Sequence, residues 1–274
     1  MSTANAQAQA LTVLHLSDTH FGTEQAAVQR ALLDLAESSA PDAVVVTGDL
    51  TQRATALQFE AAQRFLAQLP RVPTLVLPGN HDIKLFDLWT RLFVPYRAWS
   101  AVAGEAGAAE LRLDDRLLVV AADTTRRWRH RHGTLSRHQI EAVAARLTHA
   151  PQAAWRMVAT HHPLCVAQRR DLEDRPRHHD RALARWPAAG AQVLLAGHIH
   201  LPGVMPVSGT ACSVVQAGTA LSHRLRPGVP NSVNLLCQAA DPMGSRRCER
   251  WDYDAGSGRF VVTGSTPLGA WAGR

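Results

Sequence analysis

Lysine is nearly absent from this chain of 274 residues: Lys84 is the single one, so 28 of the 29 basic side chains are arginines. Arginine pairs with phosphate and carboxylate in bidentate fashion, but codon usage produces the same bias, so the bias alone selects no partner. The net charge of +6 is compatible with nucleic acid, a membrane surface or a small anionic substrate. Cysteine is scarce too. Cys165, Cys212, Cys237 and Cys248 form no C-x-x-C pair, which speaks against a zinc ribbon or disulfide framework and for reduced structural thiols. No run of 18 apolar residues occurs, so no membrane span is expected, and MSTANAQAQA lacks the basic and apolar regions of a secretory signal. The expectation is a soluble, cytoplasmic protein. No repeat and no Pro/Gly/Ser-rich linker divides the chain, and 46% hydrophobic with 19% charged residues excludes disorder. One domain is expected over residues 11–265, with flexible ends at 1–10 and 266–274.

Strand and helix alternate over the first ninety residues. Residues 12–16, 43–47 and 73–77 are short aliphatic, β-branched runs. Between them, 24–38 carries Val28, Leu32 and Leu35 at helical spacing, and Thr55 with Gln58 reads as a capping box opening a helix to about residue 69. This β-α-β-α-β order predicts parallel strands with right-handed crossovers. Residues 82–110 read as helical with an Ala/Gly-rich loop, and 117–122 as a strand. Ser136 with Gln139 opens another helix, 155–160 and 192–196 are buried strands, and a short helix ends near Trp186. Beyond His200 five short strand-like pieces follow, at 204–207, 212–217, 232–238, 247–253 and 259–263, read as sheet completing the same domain.

Unusual chemistry sits at five strand ends: Asp18 and His20 (LSDTH), Asp49 (TGDL), Asn80 and His81 (PGNHD), His161 and His162 (THHP), and His198 and His200 (AGHIH). In open α/β sheets ligands gather at the carboxyl ends of parallel strands, so residues far apart in sequence can converge. In an extended segment i and i+2 share a face, which predicts that Asp18 points with His20 and His198 with His200. Gly48, Gly79 and Gly197 each precede a polar group, where a missing Cβ permits close backbone approach. A lone histidine is ordinarily a satisfied polar or core residue; five such motifs together are not, because charge buried at strand ends is costly without metal or partners. Four imidazoles, two carboxylates and an amide, with no thiolate, suit Zn, Mn, Fe or Co. Seven groups are too many for one ion with an open position and fit two ions sharing a carboxylate.

D-x-H, G-D, G-N-H-D, the later His161 and G-H-x-H together resemble the calcineurin-like metallophosphoesterase superfamily over residues 12–200. The segments GTA (218–220) and PNSVNLL (230–236) are similar to its branch of class III cyclic-nucleotide phosphodiesterases and glycerophosphodiesterases. The resemblance implies an α/β fold, a four-layer αββα sandwich of two mixed sheets flanked by helices. It assigns Asp18, His20, Asp49 and His200 to a first metal ion and Asp49, Asn80, His161 and His198 to a second, with Asp49 bridging. It implies hydrolysis of a phosphodiester by metal-activated hydroxide, with His81 as the catalytic histidine. The family often continues as G-D-x-x-D, its last carboxylate orienting that histidine; here Gln52 stands at that position and brings an amide without charge. Asp82 is expected to turn or cap its loop.

Substrate contacts are expected from His162, Arg53 and Trp128. Trp128 lies in RRWRHRH (126–132), a segment without acid that suits stacking a base while pairing phosphate, whereas 169–181 is largely self-neutralised by its acidic residues. The leading expectation is a dinuclear phosphodiesterase acting on a small soluble anionic diester such as a cyclic nucleotide. Alternatives are a phosphomonoesterase, a phospholipid or nucleic-acid phosphodiesterase of the same superfamily, and a metal-binding scaffold without turnover. Nucleic acid is not favoured as partner.

Overall fold

The computed structural model describes residues 10–240 and 245–269. Among these residues twelve strands form two sheets of six. In the first, β1 (Leu11–Leu16), β2 (Ala43–Val46) and β3 (Thr74–Val76) run parallel, as the sequence order predicts. β10 (Ser232–Gln238), β11 (Arg246–Asp254) and β12 (Arg259–Pro267) extend it antiparallel from β1. In the second, β5 (Leu117–Ala121), β6 (Trp155–Ala159), β7 (Val193–Ala196) and β9 (Ser213–Gln216) are parallel. β4 (Glu110–Leu113) and β8 (Gly203–Pro206) pair antiparallel at its two edges.

The two-residue period of a strand decides how these sheets pack. Val13, Val45 and Leu75 point from the first sheet toward Val119, Met157, Val193 and Val215 of the second, making one apolar layer between the sheets. Their neighbours Leu14, Leu16, Val44, Val46 and Val76 face outward. They pack on α1 (Ala26–Ser38), α2 (Ala56–Leu66) and α4 (Arg97–Ala103). Leu118, Val120, Val158, Leu194 and Val214 likewise face α5 (Arg137–Thr148) and α6 (His179–Ala188). The result is the four-layer αββα arrangement.

Local signals explain where helices begin. Ser136 accepts from the Gln139 N–H while the Gln139 side chain accepts from the Ser136 N–H, closing the box that opens α5. At α2 the box stays half made: Thr55 accepts from the Gln58 N–H at 3.4 Å, but the Gln58 side chain accepts from the Arg53 N–H instead. Two expectations change. Residues 82–110, read as helical, contain α3 (Leu88–Phe93) and α4 and reach β4 at their end; a four-residue edge strand has too little alternation to show itself, and only pairing with β5 makes it one. The tail expected from residue 266 begins inside β12, where Thr266 and Pro267 pair with Cys248 and Arg247 and Leu268 is buried. Residues 1–9 and 270–274 of the expected flexible ends lie outside the described residues.

Trp186 locks α6 to α5: it is fully buried and its indole N–H donates to the Ile140 carbonyl at 3.0 Å. Trp186→Ala is expected to cost about 3–5 kcal/mol, read as a lower denaturant midpoint at unchanged slope. A loss below about 1 kcal/mol would show that the layer does not depend on this side chain.

Candidate metal centre

The polar residues of the five motifs follow the carboxyl ends of β1, β2, β3, β6 and β7. They are brought together by backbone bonds between adjacent loops: the Asp18 N–H donates to the Gly48 carbonyl at 3.1 Å and the His20 N–H to the Asp49 carbonyl at 3.0 Å. Asp18, His20, Asp49, His198 and His200 all have φ between 45° and 71°. Side chains other than glycine seldom adopt this left-handed region, and each such residue costs about 1–3 kcal/mol. The expected i, i+2 pairing on an extended segment is therefore not what aligns Asp18 with His20 or His198 with His200. Left-handed turns aim these side chains, a feature without signature in strand periodicity. Close approach does the rest: a Cβ on Gly79 would lie 2.0 Å from Asp49 Oδ1 and 2.1 Å from its nitrogen, and one on Gly48 would lie 2.6 Å from His161 Nδ1.

The ligand atoms of Asp18, His20, Asp49 and His200 lie within 4.8 Å of one another, as do those of Asp49, His161 and His198. His20 Nε2 and His200 Nε2 approach to 3.1 Å and lie 3.6 Å and 3.3 Å from Asp18 Oδ1. His161 Nε2 is 3.4 Å from Asp49 Oδ1 and 3.1 Å from Asn80 Oδ1. Asp18 Oδ1 and His20 Nδ1 are buried without a hydrogen-bond partner among the described residues. Buried carboxylate oxygens and imidazole nitrogens converging on shared points, with no thiolate among them, fit divalent transition-metal ions. Outer hydrogen bonds set the rings: His161 Nδ1 faces the Thr47 carbonyl at 2.7 Å and His200 Nδ1 the Arg224 carbonyl, leaving each Nε2 turned inward.

Charge is concentrated here. Burial alone would raise the Asp18 carboxyl, but the His200, His20 and His161 imidazoles outweigh it and hold it well below the usual carboxylate range. Asp49 is held low in the same way, burial being opposed by His161, His20 and His81. Asp82 accepts from the N–H groups of Gly79, Thr51 and Leu50 at 2.9, 2.8 and 3.1 Å, the loop-turning role expected of it. Burial and the Asp49 carboxylate push it up to about 7 against those donors.

His81 borders a cavity of about 450 Å³ together with Asp49, Asn80, His198 and His200. Its N–H donates to Asp49 Oδ1 at 2.8 Å, and its Nδ1 lies 2.8 Å from the main-chain carbonyl of Gln52. Gln52 thus holds the ring through its backbone, while its amide oxygen accepts from Arg224 at 3.2 Å. The three expected substrate contacts fare differently. Arg53 lines a second cavity of similar size that shares His81 and His130 with the first. His162 is buried with both ring nitrogens occupied, Nδ1 at 2.8 Å from Thr124 Oγ1 and Nε2 at 3.0 Å from the Arg131 carbonyl, which leaves none for a substrate. Trp128 is 64% exposed and lines neither cavity. Its turn is tied toward α3, Arg91 Nε donating to the Arg127 carbonyl and Arg127 to the Leu92 carbonyl. The basic segment reaches the first cavity through His130 and Arg131 instead.

Sequence reasoning missed three groups at this cavity. Asp174 Oδ1 is 3.7 Å from His198 Nε2 and accepts from Arg131 at 2.9 Å, although its segment reads as a self-neutralised surface. Arg224 and Arg226 stand in a loop after β9, with no spacing to mark them. The position of Arg224 directly after the G-T-A-L-S-H stretch was the one available hint.

Two mixed sheets packed face to face, with carboxylates and imidazoles clustered at the ends of their parallel strands, define a metallophosphoesterase fold. The chain belongs to the calcineurin-like phosphoesterase family, whose model matches residues 11–202. It is 29% identical over 164 residues to the 3',5'-cyclic adenosine monophosphate phosphodiesterase CpdA of Escherichia coli K12, covering 58% of this chain and 54% of that protein. It is 36% identical over 87 residues to the glycerophosphodiester phosphodiesterase GpdQ of Enterobacter lignolyticus, covering 27% of this chain and 30% of that protein. The chain thus spans about half the length of the first relative, and less of the second. Among solved structures it is similar to purple acid phosphatase PPD1 of yellow lupin, with a TM-score of 0.64 at 15% identity over 95% of this chain and 54% of that one. It is also similar to a dimetal phosphatase of Danio rerio, with a TM-score of 0.63 at 15% identity over 94% and 98%. At such identity the structural likeness speaks for the fold alone. No helix among the described residues is long and apolar enough to cross a membrane.

Gly79→Ala drives a methyl group into the Asp49 backbone. It is expected to cost about 2 kcal/mol or more and to lower bound metal per chain after Mn loading, measured by elemental analysis. Full metal content at wild-type stability would contradict the close-approach account.

Proposed function

We propose that this protein is a dinuclear metal-dependent phosphodiesterase acting on a small soluble diester, with cyclic nucleotides as the leading substrate class. The observation that carries the reading is the overlap of two ligand groups in one carboxylate, Asp49. Asp18, His20, Asp49 and His200 would hold one ion; Asp49, Asn80, His161 and His198 would hold the other. With only two carboxylates among these ligands, a pair of divalent ions keeps net positive charge and attracts an anionic ester. The two relatives, a cyclic-AMP phosphodiesterase and a glycerophosphodiester phosphodiesterase, support the reaction class.

Two such ions, when bound, supply Lewis-acid activation of water and neutralise charge on the phosphoryl oxygens. The protein's own groups do the positioning. Asp49, which belongs to both ligand groups, also accepts the His81 N–H, and this ties the G-N-H-D loop to that carboxylate. Thr47 and Arg224 set the rings of His161 and His200 through their carbonyls. Hydrolysis breaks the bond from phosphorus to one ester oxygen, bonds a water oxygen to phosphorus, and leaves one water proton on the departing alcohol and the other for solvent.

Chelation is expected to abolish hydrolysis of bis-p-nitrophenyl phosphate, and Mn to restore it. Asp49→Ala is expected to lose about 10³-fold or more in kcat together with bound metal. Hydrolysis of p-nitrophenyl phosphate at higher kcat/KM than the diester would overturn the diester assignment, and full activity after chelation would overturn the metal assignment.

A further inference from the structure

Three arginines line the cavity at the ligand cluster: Arg131, Arg224 and Arg226. Two are neutralised within the protein, Arg131 by Asp174 at 2.9 Å and Arg226 by Asp171 at 2.6 Å. Arg224 is not: among the described residues no carboxylate lies within ion-pair distance of it. Its Nη1 lies 3.2 Å from Gln52 Oε1 and 3.0 Å from His81 Nε2, neither of which belongs to a carboxylate. A half-buried guanidinium held by an amide and an imidazole, without a carboxylate, keeps its charge for something that enters the cavity, since leaving a partly desolvated cation without a counter-ion is costly.

We propose that Arg224 is a catalytic residue that binds the substrate's phosphoryl oxygens, with Gln52 and His81 as the residues that position it. The proposal rests on the phosphoesterase reading above and adds a substrate contact to it. The hydrogen bonds fix the roles. His81 Nδ1 faces the Gln52 carbonyl and so carries the proton, which leaves Nε2 as an acceptor for Arg224. Gln52 therefore acts twice, its carbonyl setting the tautomer of His81 and its amide oxygen aiming Arg224. An amide suits this place better than a carboxylate, because an aspartate at residue 52 would pair with the guanidinium and absorb the charge that the phosphoryl group needs. The departure from G-D-x-x-D thus keeps an arginine free at the site. The main chain of Arg224 has a separate duty, accepting from His200 Nδ1 and from Thr219 Oγ1. Replacing the side chain leaves that carbonyl in place.

The test uses the Mn-loaded full chain with Arg224→Gln, Arg224→Lys and Gln52→Asp. Arg224→Gln is expected to retain wild-type metal content and to lose about 10²–10³-fold in kcat/KM for bis-p-nitrophenyl phosphate. Inorganic phosphate, titrated calorimetrically into the metal-loaded protein, is expected to bind it about tenfold or more weakly. Arg224→Lys recovers part of the loss, as a point charge without the planar fork, and Gln52→Asp lowers activity although it restores the residue common in the family. Two results would overturn the proposal: an Arg224→Gln protein within about threefold of wild type with unchanged phosphate affinity, or a Gln52→Asp protein more active than wild type. A wild-type protein that hydrolyses neither nitrophenyl ester would overturn the phosphoesterase reading. In that event equal phosphate affinity of wild type and Arg224→Gln overturns the Arg224 assignment, and weaker binding by the variant supports it.

Discussion

Two carboxylates, Asp18 and Asp49, lie buried among the imidazoles of His20, His161, His198 and His200, and much of the architecture answers to that concentration of charge. Water does not solvate these oxygens, so the protein has to surround them with opposed charge and donors. The His198 N–H donates to Asp18 Oδ2 and the His81 N–H to Asp49 Oδ1, each reaching across from a different loop. The same bonds that satisfy the carboxylates thereby hold together loops that are distant in the chain. Five residues in left-handed backbone conformations are tolerated there because the surrounding loops fix them from both sides.

The sheets make such a cluster affordable. Parallel β1, β2 and β3 deliver three loops to one edge, and β6 and β7 deliver two more from the facing sheet. The apolar layer between the sheets brings those edges together, so the packing of Val13, Val45 and Leu75 on Met157 and Val193 controls the spacing of side chains that never touch it. Around the cluster the cavity is divided electrostatically: Asp171 and Asp174 quench two arginines, and Gln52 leaves the third charged.

Much of this was legible in the residue order. The strand runs in the first ninety positions, both helix-opening signals, and the D-x-H, G-D, G-N-H-D and G-H-x-H motifs stand out because their residue types are rare where aliphatic runs end. β4 was not legible, since four residues at a sheet edge take their conformation from a partner strand. Asp174 and Arg224 were not legible either: each belongs to a loop of ordinary composition, and its neighbours in space are remote in sequence. Trp128 illustrates the opposite case. A basic, aromatic segment suggests a nucleotide contact, yet its turn bonds to α3 and only His130 and Arg131 reach the cavity.

The residue order by itself determined the α/β class, the parallel strand core and the identity of the side chains able to hold cations. Residue type and short-range period carry that information, because the two-residue alternation and the chemistry of imidazole and carboxylate do not depend on the rest of the chain. The tertiary structure alone decided how those groups face one another. It set left-handed turns in place of extended pairing, occupied both nitrogens of His162, gave the Gln52 backbone to His81 and its amide to Arg224, and left one arginine of three without a counter-ion among the described residues. These are relations between loops joined by sheet packing, and no local pattern encodes the distance between two loops that meet only after folding.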